Sequence, residues 1–361
     1  MSMKKTLNPE SVLDVLRPVQ DPELQKSLVE LNMIRQIEID AVGNVSFTLV
    51  LTTPACPLRE FIVEDCTKAV QQLPGVGEVN VRVTAETPQQ KNTLPDRQGI
   101  AGVKNIIAIS SGKGGVGKST VAANVAVALA QTGAKVGLID ADIYGPNAPT
   151  MLGLEGANVM VQSSDRGDVL EPAFNHGVKL VSMGFLIEKD QPVVWRGPML
   201  NGVIRQFLYQ VEWGQLDYLI VDMPPGTGDA QLTLTQAVPM VGAIIVTTPQ
   251  TVALLDSRKG LKMFQQMGVP VLGIVENMSY FIPPDLPDRH YDIFGSGGGE
   301  KTSQELGIPL LGCIPLEISL REGGDTGLPI VLGAPESESA KSLVAIAKAI
   351  AAKISVTVLA G

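Results

Sequence analysis

The apolar stretch from Asn105 to Ser110 runs straight into Gly112-Lys113-Gly114-Gly115-Val116-Gly117-Lys118-Ser119, and helix-forming sequence follows from Thr120. This is G-x-x-x-x-G-K-[ST] in the strand, turn and helix context that gives the pattern meaning, which sets it apart from a chance glycine turn. Glycines let the backbone curl so that successive N–H groups face phosphate oxygens, and the helix N-terminus adds its positive end. Gly112, Lys113, Gly114, Gly115, Val116, Gly117, Lys118, Ser119 and Thr120 are therefore expected to cradle a nucleotide. Lys118 is expected on the β and γ phosphates and Ser119 on Mg2+.

A phosphate cradle of this kind needs a sheet behind it. Strand-like runs at Ile106–Ile109, Val136–Ile139, Tyr218–Val221, Ala243–Val246 and Val271–Val275 alternate with helical stretches, as in an α/β, doubly wound, mainly parallel sheet. Apolar residues make up 45% of the chain but aromatics only 4%, which suits Gly, Ala and Val packing helices closely on such a sheet. Two of the runs end in carboxylates: Asp140-Ala141-Asp142, and Asp222 followed by Met223-Pro224-Pro225-Gly226-Thr227-Gly228-Asp229. Ligands of open α/β sheets bind at the carboxyl edge, where these side chains emerge. Asp142 is expected to orient an attacking water, Asp222 to hold Mg2+ through water, and Gly226 to offer its N–H to the γ phosphate. Each aspartate taken alone would also suit a helix cap.

At 361 residues the chain exceeds one typical core. Residues 1–84 read as a small α+β domain in the order α-β-β-α-β. Asn8-Pro9-Glu10 opens a helix to Leu16, Ile34–Asp40 and Val45–Leu51 form a hairpin, Leu58 to Leu73 repeats at helical spacing, and Val79, Val81 and Val83 alternate. Residues 85–101 lose periodicity and read as a solvated linker, which leaves 102–361 as the second domain. Gly295–Gly299 reads as a mobile loop.

The formal charge of −9 disfavours a nonspecific grip on nucleic acid or an anionic membrane. The start, MSMKKTLNPE, lacks the apolar core of a secretory signal, and Lys341, Lys348 and Lys353 interrupt the apolar C-terminal segment. A docked helix and a cytoplasmic location are expected. Cys56, Cys66 and Cys313 fit neither a disulfide framework nor a zinc pattern. Cys56 precedes Pro57 at a helix start, where the dipole would lower its pKa, so it is a candidate reactive thiol or iron ligand; an ordinary turn cysteine is the alternative. Cys66 falls on an apolar stripe.

The run from Lys113 to Thr120 resembles the deviant Walker A family, which implies that Lys113 reaches across a homodimer to the partner's nucleotide. More widely, SSGKGGVGKST, IDADIYGPNAPTMLG, WRGPM (from Trp195), VDMPPGTGD, VTTPQ, ENMSYF and IPLEISLREGGDTGLP resemble the Mrp/ApbC family of iron-sulfur cluster carrier ATPases. That resemblance implies a MinD-like P-loop NTPase fold, ATP and Mg2+ as cofactors, an adenine contact from Asn277, and delivery of an iron-sulfur cluster to apoproteins with help from assembly scaffold proteins. Asp21-Pro22-Glu23 and Thr52-Thr53-Pro54-Ala55-Cys56-Pro57 make the first domain resemble SufT-like assembly factors. One feature departs from the carrier pattern. Many members have Cys-x-x-Cys after the NMS stretch, whereas residues 282–293 here contain no cysteine. Cys56 and Cys313 are the remaining cluster-ligand candidates, with Cys313 also suited to core packing and His290 to a solvated loop. A MinD/ParA-type positioning switch and an ATP-binding scaffold with negligible turnover are the rival expectations.

Overall fold

A computed structural model describes residues 7–90, 97–143, 145–157, 160–164, 167–186, 197–286 and 288–360. The chain divides into two compact units, Met1–Pro88 with Ala351–Gly361, and Gln89–Ile350.

The smaller unit contains α1 (Pro9–Leu16), β1 (Gln20–Asp21), β2 (Lys26–Ser27), β3 (Ile34–Ile39), β4 (Val45–Leu51), α2 (Arg59–Gln71) and β5 (Val79–Ala85). Asn8 caps α1 as expected, but its reciprocal partner is Ser11: Asn8 Oδ1 accepts from the Ser11 amide at 2.8 Å, and Ser11 Oγ accepts from the Asn8 amide at 3.0 Å. β3 pairs antiparallel with β4, Ile34 opposite Leu49, and β5 lies parallel to β4. Phe47 and Leu49 of β4 pack with Val12 and Leu16 of α1 and with Ile62, Cys66 and Val70 of α2. Cys66 is fully buried, and burial pushes its thiol up to about 12.

The larger unit opens with β6 (Val103–Ser111), α3 (Lys118–Gln131), β7 (Val136–Asp140) and α4 (Ala148–Met151), followed by β8 (Met160–Ser164), β9 (Gly167–Glu171), β10 (Ala173–Asn175) and β11 (Val178–Ser182). Then come α5 (Gly197–Tyr209), β12 (Leu216–Asp222), α6 (Asp229–Ala237), β13 (Met240–Thr247), α7 (Thr251–Gln266) and β14 (Val271–Phe281). The rest is α8 (Gly298–Leu306), β15 (Leu310–Leu316), α9 (Ile318–Thr326), α10 (Ile330–Gly333) and α11 (Glu338–Ala360). Eight strands form one sheet in the order β10-β11-β7-β12-β6-β13-β14-β15. Only β10 runs antiparallel to its neighbour.

β6 therefore sits between β12 and β13, buried on both faces, which is why these strands read as unbroken apolar runs. α3 is buried from Val121 to Leu129, and its alanines let it lie close to the sheet. Among the described residues one helix, Glu338–Leu359, is long and apolar enough to cross a membrane. Its Leu343, Ile346, Ile350 and Ile354 are fully buried inside the protein, the packing of a core helix.

Three segments differ from expectation. Residues 97–100 of the supposed solvated linker are docked: Arg97 and Ile100 are buried, and the Gln98 amide donates to the Ala237 carbonyl. Residues 91–96 lie outside the described set, as do Trp195 and Arg196 of the WRGPM stretch. The glycines at 295–299 do not form a free loop. Gly297, at φ 67°, turns the chain into α8, and the Gly299 amide donates to Glu276 Oε2 at 2.6 Å. A Cβ on Gly298 would lie 2.6 Å from the Pro249 carbonyl oxygen, so tight packing requires glycine there. Finally, Ala351–Gly361 group with the small unit and not with the unit that supplies the rest of α11.

Candidate active site

The carboxyl ends of β6, β7 and β12 lie side by side, with Asp222 in register with both Ile109 and Asp140. The loop 112–117 leaves this edge and enters α3. Gly115 and Gly117, both at φ 80°, take left-handed conformations that favour glycine. Gly112 is fixed by proximity, because a Cβ there would meet backbone atoms of Asp256 and Ser257 in α7 at 2.1 and 2.3 Å.

Lys118 curls back into the edge. Its Nζ lies 2.5 Å from Asp222 Oδ1, 3.3 Å from Ser119 Oγ and 3.9 Å from Asp142 Oδ2. The Lys118 side chain is 6% exposed and that of Asp222 is not exposed at all, so this is a buried ion pair that only good geometry can sustain. The other oxygen, Asp222 Oδ2, is buried without a hydrogen-bond partner. An orphaned carboxylate oxygen on the carboxylate that Ser119 also hydrogen-bonds is a donor set that fits Mg2+ and its water shell. Burial raises the Asp222 pKa, and Lys118 opposes that rise.

Asp140, which the sequence reading passed over in favour of Asp142, organises the loop beyond β7. It accepts from Ser182 Oγ at 2.9 Å and from the amides of Ala148 and Asp142 at 3.1 and 3.2 Å. The Gly145 amide in turn donates to Asp142 Oδ1 at 3.3 Å. Burial, then the charge of Asp222, pushes Asp140 up from 3.8 to about 7. The native state therefore holds a proton that the unfolded chain releases, and the stability this confers is present at low pH and lost as pH rises through about 7. Between pH 4 and 8, urea unfolding of wild type and Asp140→Asn side by side should show wild type losing on the order of 4 kcal/mol relative to the variant. A difference independent of pH would show that Asp140 stays ionised.

Gln231, also missed by the sequence reading, is fully buried on α6 and donates through Nε2 to Ser110 Oγ at 3.3 Å and to the Pro224 carbonyl. It ties the loop after β12 to the end of β6. The Gly226 amide donates to the Ser111 carbonyl at 3.1 Å, so in this conformation it is engaged within the protein. Lys113, half-buried, donates from Nζ to Gln250 Oε1 at 3.3 Å, at the start of α7.

Beside the loop is a largely apolar cavity of about 320 Å3 lined by Thr120, Met151, Asn277, Met278, Leu316 and Leu320, among others. Asn277 is 3% exposed and donates from Nδ2 to the Val116 carbonyl at 2.9 Å, fastening β14 to the loop. That leaves Oδ1 as the acceptor. Met278, at φ 55°, is strained into a left-handed conformation at the same corner.

Cys56 and Cys66 belong to the smaller unit and Cys313 to the larger. Cys56 is half-buried three residues before α2, in a loop where the Cys56 amide donates to the Thr53 carbonyl at 3.3 Å. The expected lowering of its pKa is reversed: burial raises it first, and Glu23 and Asp21 add to the rise, outweighing the Leu58 amide. α2 begins at Arg59, with Leu58 and not Pro57 at the boundary, and the lowering by the Leu58 amide is smaller than the rise that burial imposes. Cys313 is half-buried on β15 with Sγ 3.9 Å from Glu276 Oε1, and burial raises it too. His290 is exposed and stacks on Tyr280, ring centroids 4.4 Å apart. Among the described residues, no group of three or more His, Cys, Asp or Glu side chains is placed to hold a metal.

Residues 102–351 match the family model described as NUBPL iron-transfer P-loop NTPase, in the ParA group. The chain belongs to that family. Residues 9–82 separately match a model described as an iron-sulfur cluster assembly protein. Proteins described as iron-sulfur cluster carrier proteins are 80% identical over 98% of this chain and 99% of the relative in a Synechocystis species, and 44% identical over 91% and 87% in Escherichia coli. Among solved structures, a nucleotide-binding protein from Archaeoglobus fulgidus in complex with ADP is 42% identical, covers 62% of this chain and 87% of its own, and superposes with a TM-score of 0.55. The septum site-determining protein MinD from Pyrococcus horikoshii, complexed with Mg-ADP, is 25% identical over 67% and 94%, with a TM-score of 0.51. The P-loop NTPase family and its nucleotide-bound neighbours make this chain an ATP-binding NTPase. Membership in the iron-transfer family agrees with the resemblance read from the motifs.

Proposed function

We propose that the protein is a Mg2+-dependent ATPase that carries iron-sulfur clusters to apoproteins, acting in the cytoplasm as a homodimer that receives its cargo from assembly scaffold proteins. The observation that carries the ATPase reading is the buried Lys118–Asp222 pair at the mouth of the glycine loop. A triphosphate in the loop competes for Lys118, and exchange of Asp222 for phosphate oxygens frees the carboxylate that, with Ser119, would hold Mg2+. The ion, when bound, neutralises charge on the β and γ phosphates. Adenine enters the cavity beside Asn277, whose Oδ1 accepts from its amino group.

Hydrolysis needs an oriented water. Asp142, held by Asp140 and the 145 amide, directs the water oxygen at the γ phosphorus; the P–O bond to ADP breaks as the new one forms, and the water protons end on phosphate and solvent. The Gly226 amide must leave the Ser111 carbonyl to reach the γ phosphate, so the loop carrying it senses the nucleotide. Lys113 must likewise leave Gln250 to act across a dimer. Asp142→Ala should retain Mg-ATP binding within about threefold while phosphate release falls by roughly 10²-fold or more. Wild type that binds ATP with no turnover above Asp142→Ala would favour the scaffold reading.

The cargo reading rests on the two family matches and on the pairing of their units in one chain. Since the described residues offer no complete ligand set in one chain, cluster ligation falls to Cys56 or Cys313 from more than one copy. Cys56 faces Asp21 and Glu23, carboxylates that disfavour the bare thiolate and favour a bound cation.

A further inference from the structure

α6 and α7 start just beyond the carboxyl ends of β12 and β13, so their last residues return to the opposite edge of the sheet. There, within the larger unit, a cavity of about 630 Å3 lies between the ends of α5, α6 and α7. Its wall on α5 is Asn201, Arg205 and Tyr209, which recur every four residues and so share one face. Thr233 and Gln236 line the cavity from α6, and Arg97 lines it as well.

A helix stripe that packs on a neighbour is normally apolar; this one is polar, and it borders a concavity. The frame is fixed by hydrogen bonds. Thr233 Oγ1 donates to Asn201 Oδ1 at 2.9 Å, Tyr209 Oη to the Ala237 carbonyl at 2.8 Å, and Arg97 Nη2 to the Met267 carbonyl at 2.5 Å. Arg97 is 8% exposed, so a guanidinium is held almost wholly out of water. Arg205 is exposed, makes no ion pair to a described residue, and lies close enough to Tyr209 for its charge to oppose the rise that burial imposes on the phenol pKa. The described lining residues include two guanidinium groups and no carboxylate, on a chain whose formal charge is −9. The side-chain amides of Asn201, Gln98 and Gln236 add further donors to the wall.

We infer that this cavity is a second anion site, for a small molecule bearing a carboxylate or phosphate group, with Arg205 as its principal charge partner. The volume is that of a small-molecule site, and the planar fork of arginine pairs with two oxygens of either group. Its occupant bridges α5 to α6, the helix that follows the Gly226 loop.

The test uses the full chain saturated with Mg-ADP, so that the glycine loop is filled, titrated by calorimetry with citrate and separately with inorganic phosphate. At least one should bind saturably near one per chain, citrate alone identifying a carboxylate occupant and phosphate alone a phosphate occupant. Arg205→Ala, on an exposed helix position that leaves the fold intact, should weaken that binding at least about tenfold, and Arg205→Glu should abolish it. No saturable uptake of either anion, or equal affinity in wild type and Arg205→Ala, overturns the assignment.

Discussion

Lys118→Ala is expected to lower ATP turnover by about 10³-fold or more in kcat/KM and, separately, to destabilise the ligand-free protein by about 3 kcal/mol. The second effect follows from the ion pair. Lys118 Nζ and Asp222 Oδ1 are 2.5 Å apart where neither side chain meets water appreciably, and alanine leaves the carboxylate buried with its Coulomb partner gone. A lysine that merely awaited phosphate from solvent would give the first effect without the second. Lys118→Ala/Asp222→Ala removes the stranded charge, so it should regain most of the stability and none of the turnover. Urea unfolding beside a phosphate-release assay separates the two. A single variant as stable as wild type would mean that the resting lysine is not paired as described.

Gly112→Ala should cost about 3 kcal/mol, lowering Tm by roughly 6 °C or more. Its Cβ would meet the carbonyl carbon of Asp256 at 2.1 Å, and backbone cannot swing aside as a side chain can. α7 must shift, and with it Gln250, which holds Lys113. Gly114→Ala is the internal control: a Cβ there meets nothing within 4 Å, so its melting temperature should stay near that of wild type, whatever happens to nucleotide affinity. Equal melting temperatures for the two variants would show that α7 does not press on the loop.

The central strands were legible because each is buried on both faces and reads as an unbroken apolar run, and the glycine loop because its chemistry is local to one stretch of chain. β11 and β15 were harder to read. Val178–Ser182 contains Lys179 and Ser182, and Leu310–Leu316 is interrupted by Gly312 and Pro315. Burial set the limits elsewhere. Asp140 and Gln231 act through partners far along the chain, Ser182 for one and Ser110 for the other, and no spacing rule links such positions. The rise in the Cys56 pKa likewise comes from desolvation and from Asp21 and Glu23, which outweigh the dipole argument made from its place before Pro57. The docking of Arg97 and Ile100 turns on side chains that meet helix ends, whereas composition alone described the segment as solvated.

Nucleotide state is expected to govern how the protein hands on its cluster, and a transfer assay reads this out. Protein reconstituted anaerobically with iron and sulfide is mixed with an apo-ferredoxin, with and without Mg-ATP, and the acceptor's cluster is followed by circular dichroism. The chain should retain iron and sulfide, Cys56→Ser or Cys313→Ser should lower the amount retained, and the transfer rate should change with Mg-ATP in wild type but not in Lys118→Ala. Well-folded protein that retains no iron or sulfide after reconstitution, or that passes clusters on at one rate whatever the nucleotide, would contradict this.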